Sequence, residues 1–373
     1  MKRIVLFSRD PGGANTIIPL VKPLMEKYEV LLYGKDVALE KYQMEQLQGK
    51  DILEECKEIT LETVEAFLKK HSPDFIITGT SADDYAEKYL WKSGEKLGIP
   101  SFAILDQWVN YGIRFSRYGV NQIEEYWKQK TFEYLPEKII VMDEYAKKCM
   151  IKEGIEADKI LVCGQPYFEH FVKNVQRISD KDIENCKKNW GVQKNEICIL
   201  FASEPITKTY QTKDGKGAFG YTEQTIFRVF QKILETKAES LMKKVRVLVR
   251  PHPKEDREWW NMVLKDTEYV SYQLDIIKDS KVAIKSADYI CGMTSMFLIE
   301  SAICQKPILS IQIGLNCENS FILEKKGVLE SVFQEAVLEK KIVNLLEGKY
   351  PVCNVELPLD ASGKIICEME RWL

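Results

Sequence analysis

Short apolar runs of strand length alternate with longer amphipathic stretches along most of this chain. Arg3–Ser8 is such a run, and others lie at 29–33, 74–78, 101–105 and 138–142. Each is followed by a pattern of helical period. Apolar strands separated by helices are typical of a parallel sheet covered by helices on both faces.

The alternation pauses at a polar helical segment near 179–190 and then begins again. Strand patterns follow at Ile197–Ala202, Val245–Arg250, 289–291 and 307–311. A chain of 373 residues is also longer than one ordinary domain. The sequence therefore predicts an α/β protein with two Rossmann-like domains that face each other across a cleft.

The break in the strand–helix pattern indicates where the domain boundaries lie. We expect a first domain over residues 1–170, a second over 185–350, and a C-terminal segment, 351–373, that packs back on the first domain. The segment 208–220 is rich in Gly, Lys and Thr, and its composition predicts a mobile loop.

Charge and composition argue against several kinds of binding partner. The net charge is −3 with both signs interspersed, and no basic arm appears, so nucleic acid is not expected as a partner. No apolar run is long enough to span a bilayer. The ten cysteines form no C-x-x-C pair and the three histidines do not cluster. These features predict a cytoplasmic protein with no metal site.

The strongest motif is G-M-T-S-M-F-L-I-E-S-A at 292–302. A strand ends here, a turn containing Gly292 and Thr294 follows, and a helix starts near Ser295. The free N–H groups of a helix N-terminus suit a phosphate. Glu300, further into the helix, could accept hydrogen bonds from ribose hydroxyls. The alternative is an ordinary capped helix with a core face.

A second motif, V-L-V-R-P-H-P, lies at 247–253. A strand brings Arg250 and His252 to its carboxyl end, where ligands bind in open α/β sheets. An arginine can grip a phosphate, and a histidine can donate to it or protonate a leaving oxygen. The alternative is that His252 is structural. Ser203 and Glu204 end the strand before it and are expected to line the same pocket.

Two further strand ends lie in the first half. Asp106 follows the run 101–105 and is a candidate general base, although a carboxylate there could equally serve as a helix cap or loop residue. The segment S-R-D-P-G-G-A-N at 8–15 contains Asp10, a second candidate base. Its residues Gly12, Gly13 and Asn15 are expected in a loop that a ligand can approach closely. A plain strand–helix turn would have the same sequence.

These motifs resemble those of known families. The segment from Gly292 is similar to the G-x-[ST]-x-x-x-x-E-A-x-x-x-[GR]-x-P pattern of GT-B glycosyltransferases and UDP-N-acetylglucosamine 2-epimerases, with one extra residue before Ser295. The R-P-H-P segment resembles the His-Pro motif of bacterial sialyl-, polysialyl-, Kdo- and CDP-glycerol-type transferases, and the epimerases carry a similar His-Pro. Asp106, Gly112 and Arg114 resemble the H-x-E-A-G-x-R segment of the epimerases, with a longer spacing.

The resemblance implies a metal-independent glycosyltransferase that moves a sugar from a nucleotide donor to a hydroxyl acceptor in bacterial surface glycan or glycoconjugate synthesis. The first domain would be the acceptor side, and the second would hold the donor. The nucleotide sugar is a co-substrate, with no other cofactor, and CMP- or CDP-linked donors are slightly favoured over UDP-linked ones. Its acceptor would be a glycan or lipid-linked, which leaves a peripheral membrane association open.

Two alternatives remain. An epimerase of the UDP-N-acetylglucosamine 2-epimerase type, or a nucleotide-sugar hydrolase, would need the same nucleotide pocket and a different set of acids. A protein that binds sugar nucleotides without catalysis would need the pocket alone.

Overall fold

The computed structural model describes residues 1–209, 219–355 and 360–373. The chain divides into two compact units. The first comprises Met1–His170 and the C-terminal helix, and the second begins at Phe171. Most of the Gly-, Lys- and Thr-rich segment, residues 210–218, lies outside the described residues. Over the described part of the chain, we find no helix with the length and apolar character that a membrane crossing requires.

The first unit is built on a seven-stranded sheet in the order β3-β2-β1-β4-β5-β6-β7. Every neighbouring pair is parallel. The strands are β1 (Arg3–Ser8), β2 (Glu29–Gly34), β3 (Lys50–Asp51), β4 (Phe75–Thr78), β5 (Ser101–Ile104), β6 (Lys138–Val141) and β7 (Ile160–Val162).

Helices connect these strands and cover both faces of the sheet. They are α1 (Pro11–Met25), α2 (Val37–Met44), α3 (Ile52–Cys56), α4 (Leu61–His71), α5 (Ala86–Leu97), α6 (Ile123–Gln129) and α7 (Glu144–Glu153). Helix α8 (Pro166–Val175) follows β7 and continues into the second unit. Alternate residues of β1 point to opposite faces, so Ile4 and Leu6 enter one core while Val5 and Phe7 enter the other.

The start of α1 differs from the prediction. Gly12, Gly13 and Asn15 were expected in a loop, but the helix begins at Pro11 and includes all three. The proline ring holds φ near the helical value, and the missing N–H has no partner in a first turn anyway. Both glycines therefore lie in the first helical turn.

The C-terminal helix α17 (Ala361–Glu370) packs on the first unit. Its residues Ile365 and Met369 join the same apolar core as α1. At the surface, the Lys27 ammonium lies 2.9 Å from the Glu370 carboxylate. In the interior, Ser362 N–H donates to Glu169 at 3.1 Å. The core contacts, being removed from water, contribute more than the exposed ion pair.

The second unit has a five-stranded parallel sheet in the order β10-β9-β8-β11-β12. Its strands are β8 (Ile197–Ala202), β9 (Val245–Arg250), β10 (Val270–Leu274), β11 (Tyr289–Gly292) and β12 (Ile308–Ser310). Its helices are α9 (Asp180–Asn189), α10 (Ile206–Thr209), α11 (Glu223–Ser240), α12 (Arg257–Val263), α13 (Ser280–Ser286), α14 (Met296–Ile303), α15 (Ile322–Lys325) and α16 (Glu335–Leu346).

The polar helix α9 belongs to the second unit and packs on α13. Ser179 and Asp182 cap its N-terminus reciprocally, and buried Trp190 follows its C-terminus. The indole N–H of Trp190 donates to Asp275 at 3.0 Å. The two parallel α/β sheets with their helices confirm the predicted fold class, two Rossmann-like domains.

One acidic side chain of the first unit is fully buried. Glu87, in the first turn of α5, has no exposed surface. Burial raises its pKa well above the ordinary value, and the charges of Asp10 and Asp84 add to that effect, while Arg9 opposes it. Glu87 therefore binds its proton more tightly in the folded state than in the unfolded state.

We predict that Glu87→Gln stabilises the fold at pH 8 but not at pH 4. Because the pKa of Glu87 is raised on folding, the folded state loses relative stability as pH rises above about 4.5, the unfolded value. Glutamine does not ionise, so the Glu87→Gln variant does not lose this stability as the pH rises. Urea unfolding at both pH values measures the difference. Glu95→Gln, an exposed change on the same helix, is the control; a Glu87→Gln effect independent of pH would contradict the prediction.

Candidate functional site

The carboxyl ends of β1, β4 and β5 bring together the candidate residues of the first unit. These strands are neighbours in the sheet, so the segments that follow them meet at one edge. Asp106 follows β5 and lies against the first turn of α1, which follows β1. A Cβ atom built on Gly12 would lie 1.8 Å from Oδ2 of Asp106. Gly12 is thus required because the Asp106 carboxylate occupies the space of a side chain.

Asp106 forms a buried ion pair with Arg114. A guanidinium nitrogen of Arg114 lies 2.7 Å from Oδ1 of Asp106, and the two side chains are 5% and 13% exposed. Arg114 also donates to the Thr80 hydroxyl at 2.8 Å and to the Asn110 carbonyl at 3.0 Å. These contacts fix the guanidinium, which in turn orients the carboxylate.

The backbone around Asp106 is also held by side chains that were not singled out in the sequence. The amide of Gln165 donates to the carbonyls of Leu105 and Asp106, both at 3.1 Å. Glu153 accepts from Gly112 N–H at 2.9 Å and from the Tyr126 hydroxyl at 2.7 Å. A partly buried carboxylate and a buried amide thereby anchor both ends of the Asp106–Arg114 loop.

Asp10, the second candidate base, precedes α1 and is partly exposed. Its carboxylate lies 2.9 Å from the Arg9 guanidinium, which also donates to Asp36 at 2.9 Å. Its side chain makes no capping hydrogen bond to α1. Asn15 lies one turn further along the helix and is partly buried. Of the two candidate bases, Asp106 has the more enclosed position.

The second unit assembles its candidates in the same way. Strand β8 lies between β9 and β11, so the segments containing Ser203, His252 and Thr294 follow three adjacent strand ends. Gly292 ends β11 where a Cβ atom would lie 2.6 Å from the Ala202 carbonyl oxygen. A glycine is required at this position because β8 and β11 approach closely and because the chain turns here into α14.

The N-terminus of α14 is occupied by a carboxylate of the same chain. Glu204 accepts from the backbone N–H of Thr294 and, at 3.0 Å, from the Thr294 hydroxyl. Ser295 is the N-cap, but its own side chain makes no capping hydrogen bond. Burial raises the pKa of Glu204, and the donors at Thr294 and Ser295 oppose the rise. The donors expected to receive a phosphate thus already hold an oxyanion.

His252 lies on an exposed loop whose backbone is fixed by Glu255. One Glu255 oxygen accepts from His252 N–H at 2.7 Å, and the other accepts from the Ser203 hydroxyl at 2.9 Å and the Trp260 indole at 3.0 Å. Burial raises the pKa of Glu255 to about 7 despite these donors. Sequence reasoning missed Glu255, although its spacing of three residues from His252 suits a turn contact.

The ring of His252 has a defined hydrogen-bonding orientation. Its Nδ1 accepts from Lys254 N–H at 3.1 Å, so the proton of the neutral ring lies on Nε2, where it can be donated. Partial removal of the ring from water and the charge of Lys254 lower the pKa of His252, which favours the neutral ring. A neutral donor is consistent with the predicted contact to a phosphate oxygen.

Arg250 is engaged within the unit. Its guanidinium donates to Asp275 and, at 2.8 Å, to the Ile277 carbonyl, and it lies 5.3 Å from the ring centroid of Phe297. The Asp275 side chain has no exposed surface. A role for Arg250 in gripping a phosphate therefore stays a prediction, since its charge already balances a buried carboxylate.

Glu300 lies in the second turn of α14 and is 8% exposed. Its predicted contact with ribose hydroxyls would require the ligand to reach a nearly buried carboxylate. Among the described residues, no group of three or more His, Cys, Asp or Glu side chains is arranged to hold a metal ion.

Solved structures share this fold over the full chain. UDP-GlcNAc 2-epimerase from Methanocaldococcus jannaschii matches with a TM-score of 0.69 over 99% of both chains, at 14% identity. The Neisseria meningitidis UDP-GlcNAc 2-epimerase, bound to UDP-GlcNAc, matches over 100% of both chains with a TM-score of 0.64 at 14% identity. HepE from Anabaena, in complex with UDP-glucose, gives 0.58 at 11% identity over 100% of both chains.

The similarity between this chain and these structures is a similarity of fold. No family model and no curated protein sequence matches the chain. At identities of 11–15%, similar backbones establish the architecture, which agrees with the GT-B-type fold expected from the sequence.

We predict that Gly12→Ala destabilises the protein by about 1–3 kcal/mol, because the new methyl group must displace Asp106 from Arg114. Gly13→Ala is the matched control in the same helical turn. Its Cβ atom would meet its nearest neighbours at 3.4 Å, an ordinary contact, and alanine favours a helix. Urea unfolding of both variants tests the difference; equal stabilities would show that Asp106 can move freely.

Proposed function

We propose that this chain is an enzyme acting on a nucleotide sugar, with the nucleotide phosphates bound at the N-terminus of α14 in the second unit. One observation carries the proposal: the Thr294 N–H and hydroxyl converge on a single oxyanion, the Glu204 carboxylate. Donors placed for a carboxylate oxygen are also placed for a phosphate oxygen. The proposed contacts to the phosphates are Gly292, Thr294, Ser295 and His252. The proposed acceptor of hydrogen bonds from the ribose hydroxyls is Glu300.

For the reaction, we favour an epimerase-like isomerisation of the sugar over glycosyl transfer. The full-length matches with UDP-GlcNAc 2-epimerases support this choice. Asp106, oriented by Arg114, is the proposed acid–base group for a proton transfer. His252 is proposed to act on the phosphate end of the substrate.

Glycosyl transfer is the second candidate, and a difference in sequence favours it. In the epimerase segment H-x-E-A-G-x-R, a histidine precedes the acid by two residues, but Ile104 stands in that place here. The spacing from Asp106 to Gly112 is also longer. A transferase would use Asp106 or Asp10 to deprotonate an acceptor hydroxyl. The glycan or lipid-linked acceptor and a peripheral membrane association belong to this second candidate.

The nucleotide is proposed to be a uridine diphosphate. The His-Pro likeness slightly favoured CMP- or CDP-linked sugars, but two of the similar structures are complexes with UDP-GlcNAc and UDP-glucose. Since both preferences are analogies, a direct comparison of ligands decides between them.

Calorimetry with UDP, CDP and CMP tests the proposed nucleotide site. We expect UDP to bind most tightly and to raise the melting temperature, because a ligand that binds only the folded state stabilises it. Tighter binding of CMP or CDP would restore the cytidine preference. Binding of none of the three, or of their sugar conjugates, would remove the proposed function.

We predict that Asp106→Asn lowers kcat by about 10²–10⁴-fold while the Kd for UDP changes less than about two-fold. The amide keeps the size of the carboxylate but cannot accept the proton. Asp158→Asn, an exposed change in the first unit, is the control. Incubation with UDP-GlcNAc, followed by NMR of the products, separates epimerisation from transfer or hydrolysis. An Asp106→Asn variant with full activity would exclude Asp106 as the base.

A further inference from the structure

Glu204 takes the position that the proposed function gives to a phosphate. Its carboxylate accepts from the N–H and hydroxyl of Thr294, the residue just before the N-cap of α14. A carboxylate at a helix N-terminus is stabilised by the same dipole and free N–H groups that favour a phosphate. The two anions therefore compete for one set of donors.

The surroundings of Glu204 make its hold on the site incomplete. Its partners are neutral donors, while the charge of Glu223 lies close enough to disfavour a second ionised carboxylate. Glu223 is itself held by the N–H and hydroxyl of Thr207, at 2.9 and 3.0 Å. Carboxylates held by neutral donors lack the Coulomb attraction that an ammonium or guanidinium would supply.

Ser295 gives an independent indication that a hydrogen-bonding group is available here for a ligand. Its hydroxyl oxygen is buried, and among the described residues it has no hydrogen-bond partner. An N-cap serine normally accepts from an N–H of the first turn, but this one does not. The structure thus leaves one buried hydroxyl unsatisfied beside a carboxylate that occupies the helix terminus. A phosphate, with three acceptor oxygens, can engage donors that two carboxylate oxygens do not reach.

We infer that Glu204 is an internal occupant of the phosphate site and that a ligand phosphate binds by displacing its carboxylate from Thr294. This inference rests on the proposed function. Glu204 then sets specificity: inorganic phosphate or pyrophosphate lacks the additional contacts needed to displace it. A nucleoside diphosphate, whose base and ribose bind as well, can do so.

The variant Glu204→Gln tests the inference because it keeps the side-chain shape and removes the charge. We expect UDP to bind Glu204→Gln at least about ten-fold more tightly than wild type, since a hydrogen-bonded charged competitor is replaced by a neutral one. Pyrophosphate should gain measurable affinity, and uridine should bind both proteins equally. Calorimetry at one pH and ionic strength gives all three comparisons.

Glu268→Gln, an exposed neutralisation in the same unit, controls for the change in net charge and should leave the affinity for UDP unchanged. Thermal unfolding of each variant without ligand checks that the fold is intact. Glu204→Asp, which keeps the charge, should not show the ten-fold gain.

Equal or weaker UDP binding by Glu204→Gln would overturn the inference, because Glu204 would then be a permanent helix cap or a ligand contact. If neither protein binds any nucleotide, the proposed function itself fails. A crystal structure of the wild type with UDP gives a second readout that does not depend on a variant. It should show phosphate oxygens on Thr294 and the Glu204 carboxylate elsewhere; a phosphate bound away from Thr294 would contradict the inference.

Discussion

The parallel register of the strands determines where the chemistry of each unit can lie. In an antiparallel sheet, successive strand ends would alternate between the two edges. Here every described neighbour is parallel, so the segments after β1, β4 and β5 meet at one edge, as do those after β8, β9 and β11. Each helix that starts from such an edge also directs its N–H groups there. The candidate site residues are thus gathered by backbone pairing.

Charges collected at these edges are compensated in two different ways. In the first unit, Asp106 is paired with a guanidinium, that of Arg114. In the second unit, Glu204 and Glu255 accept from backbone N–H groups, hydroxyls and an indole. Only direct pairing with a cation supplies Coulomb attraction; the neutral donors leave burial to dominate, and the pKa of Glu255 rises to about 7. Burial raises the pKa of Glu204 in the same way.

Much of this organisation could be predicted from the sequence because it depends on local patterns. The bounds of β8 follow from a continuous apolar run, and those of β9 from valine and leucine residues interrupted by Arg246. The turn from β11 into α14 follows from small residues between a strand and a helix pattern. The likeness of Asp106 and Arg114 to an epimerase segment led to a pair that the structure places in contact. The predicted start of α1 was wrong, because two glycines were taken as loop residues. Pro11 can begin a helix because the N–H that proline lacks would have no hydrogen-bond partner in the first turn.

Long-range pairings could not be predicted, since nothing in the local pattern specifies them. Glu204 and Thr294 are 90 residues apart, and Arg250 and Asp275 are 25 apart. Arg250, at a strand end, suggested a phosphate ligand, whereas in the folded chain its guanidinium donates to the carboxylate of Asp275. Glu204, at a neighbouring strand end, suggested a pocket wall, whereas its carboxylate accepts from Thr294 just before α14. In both cases a residue type suited to binding a ligand is first satisfied by the protein, because a buried charge without a partner would destabilise the fold. If the second unit binds a phosphate ligand as proposed, that ligand exchanges with partners that the chain already supplies, and its net affinity depends on the contacts that are broken as well as on those that form.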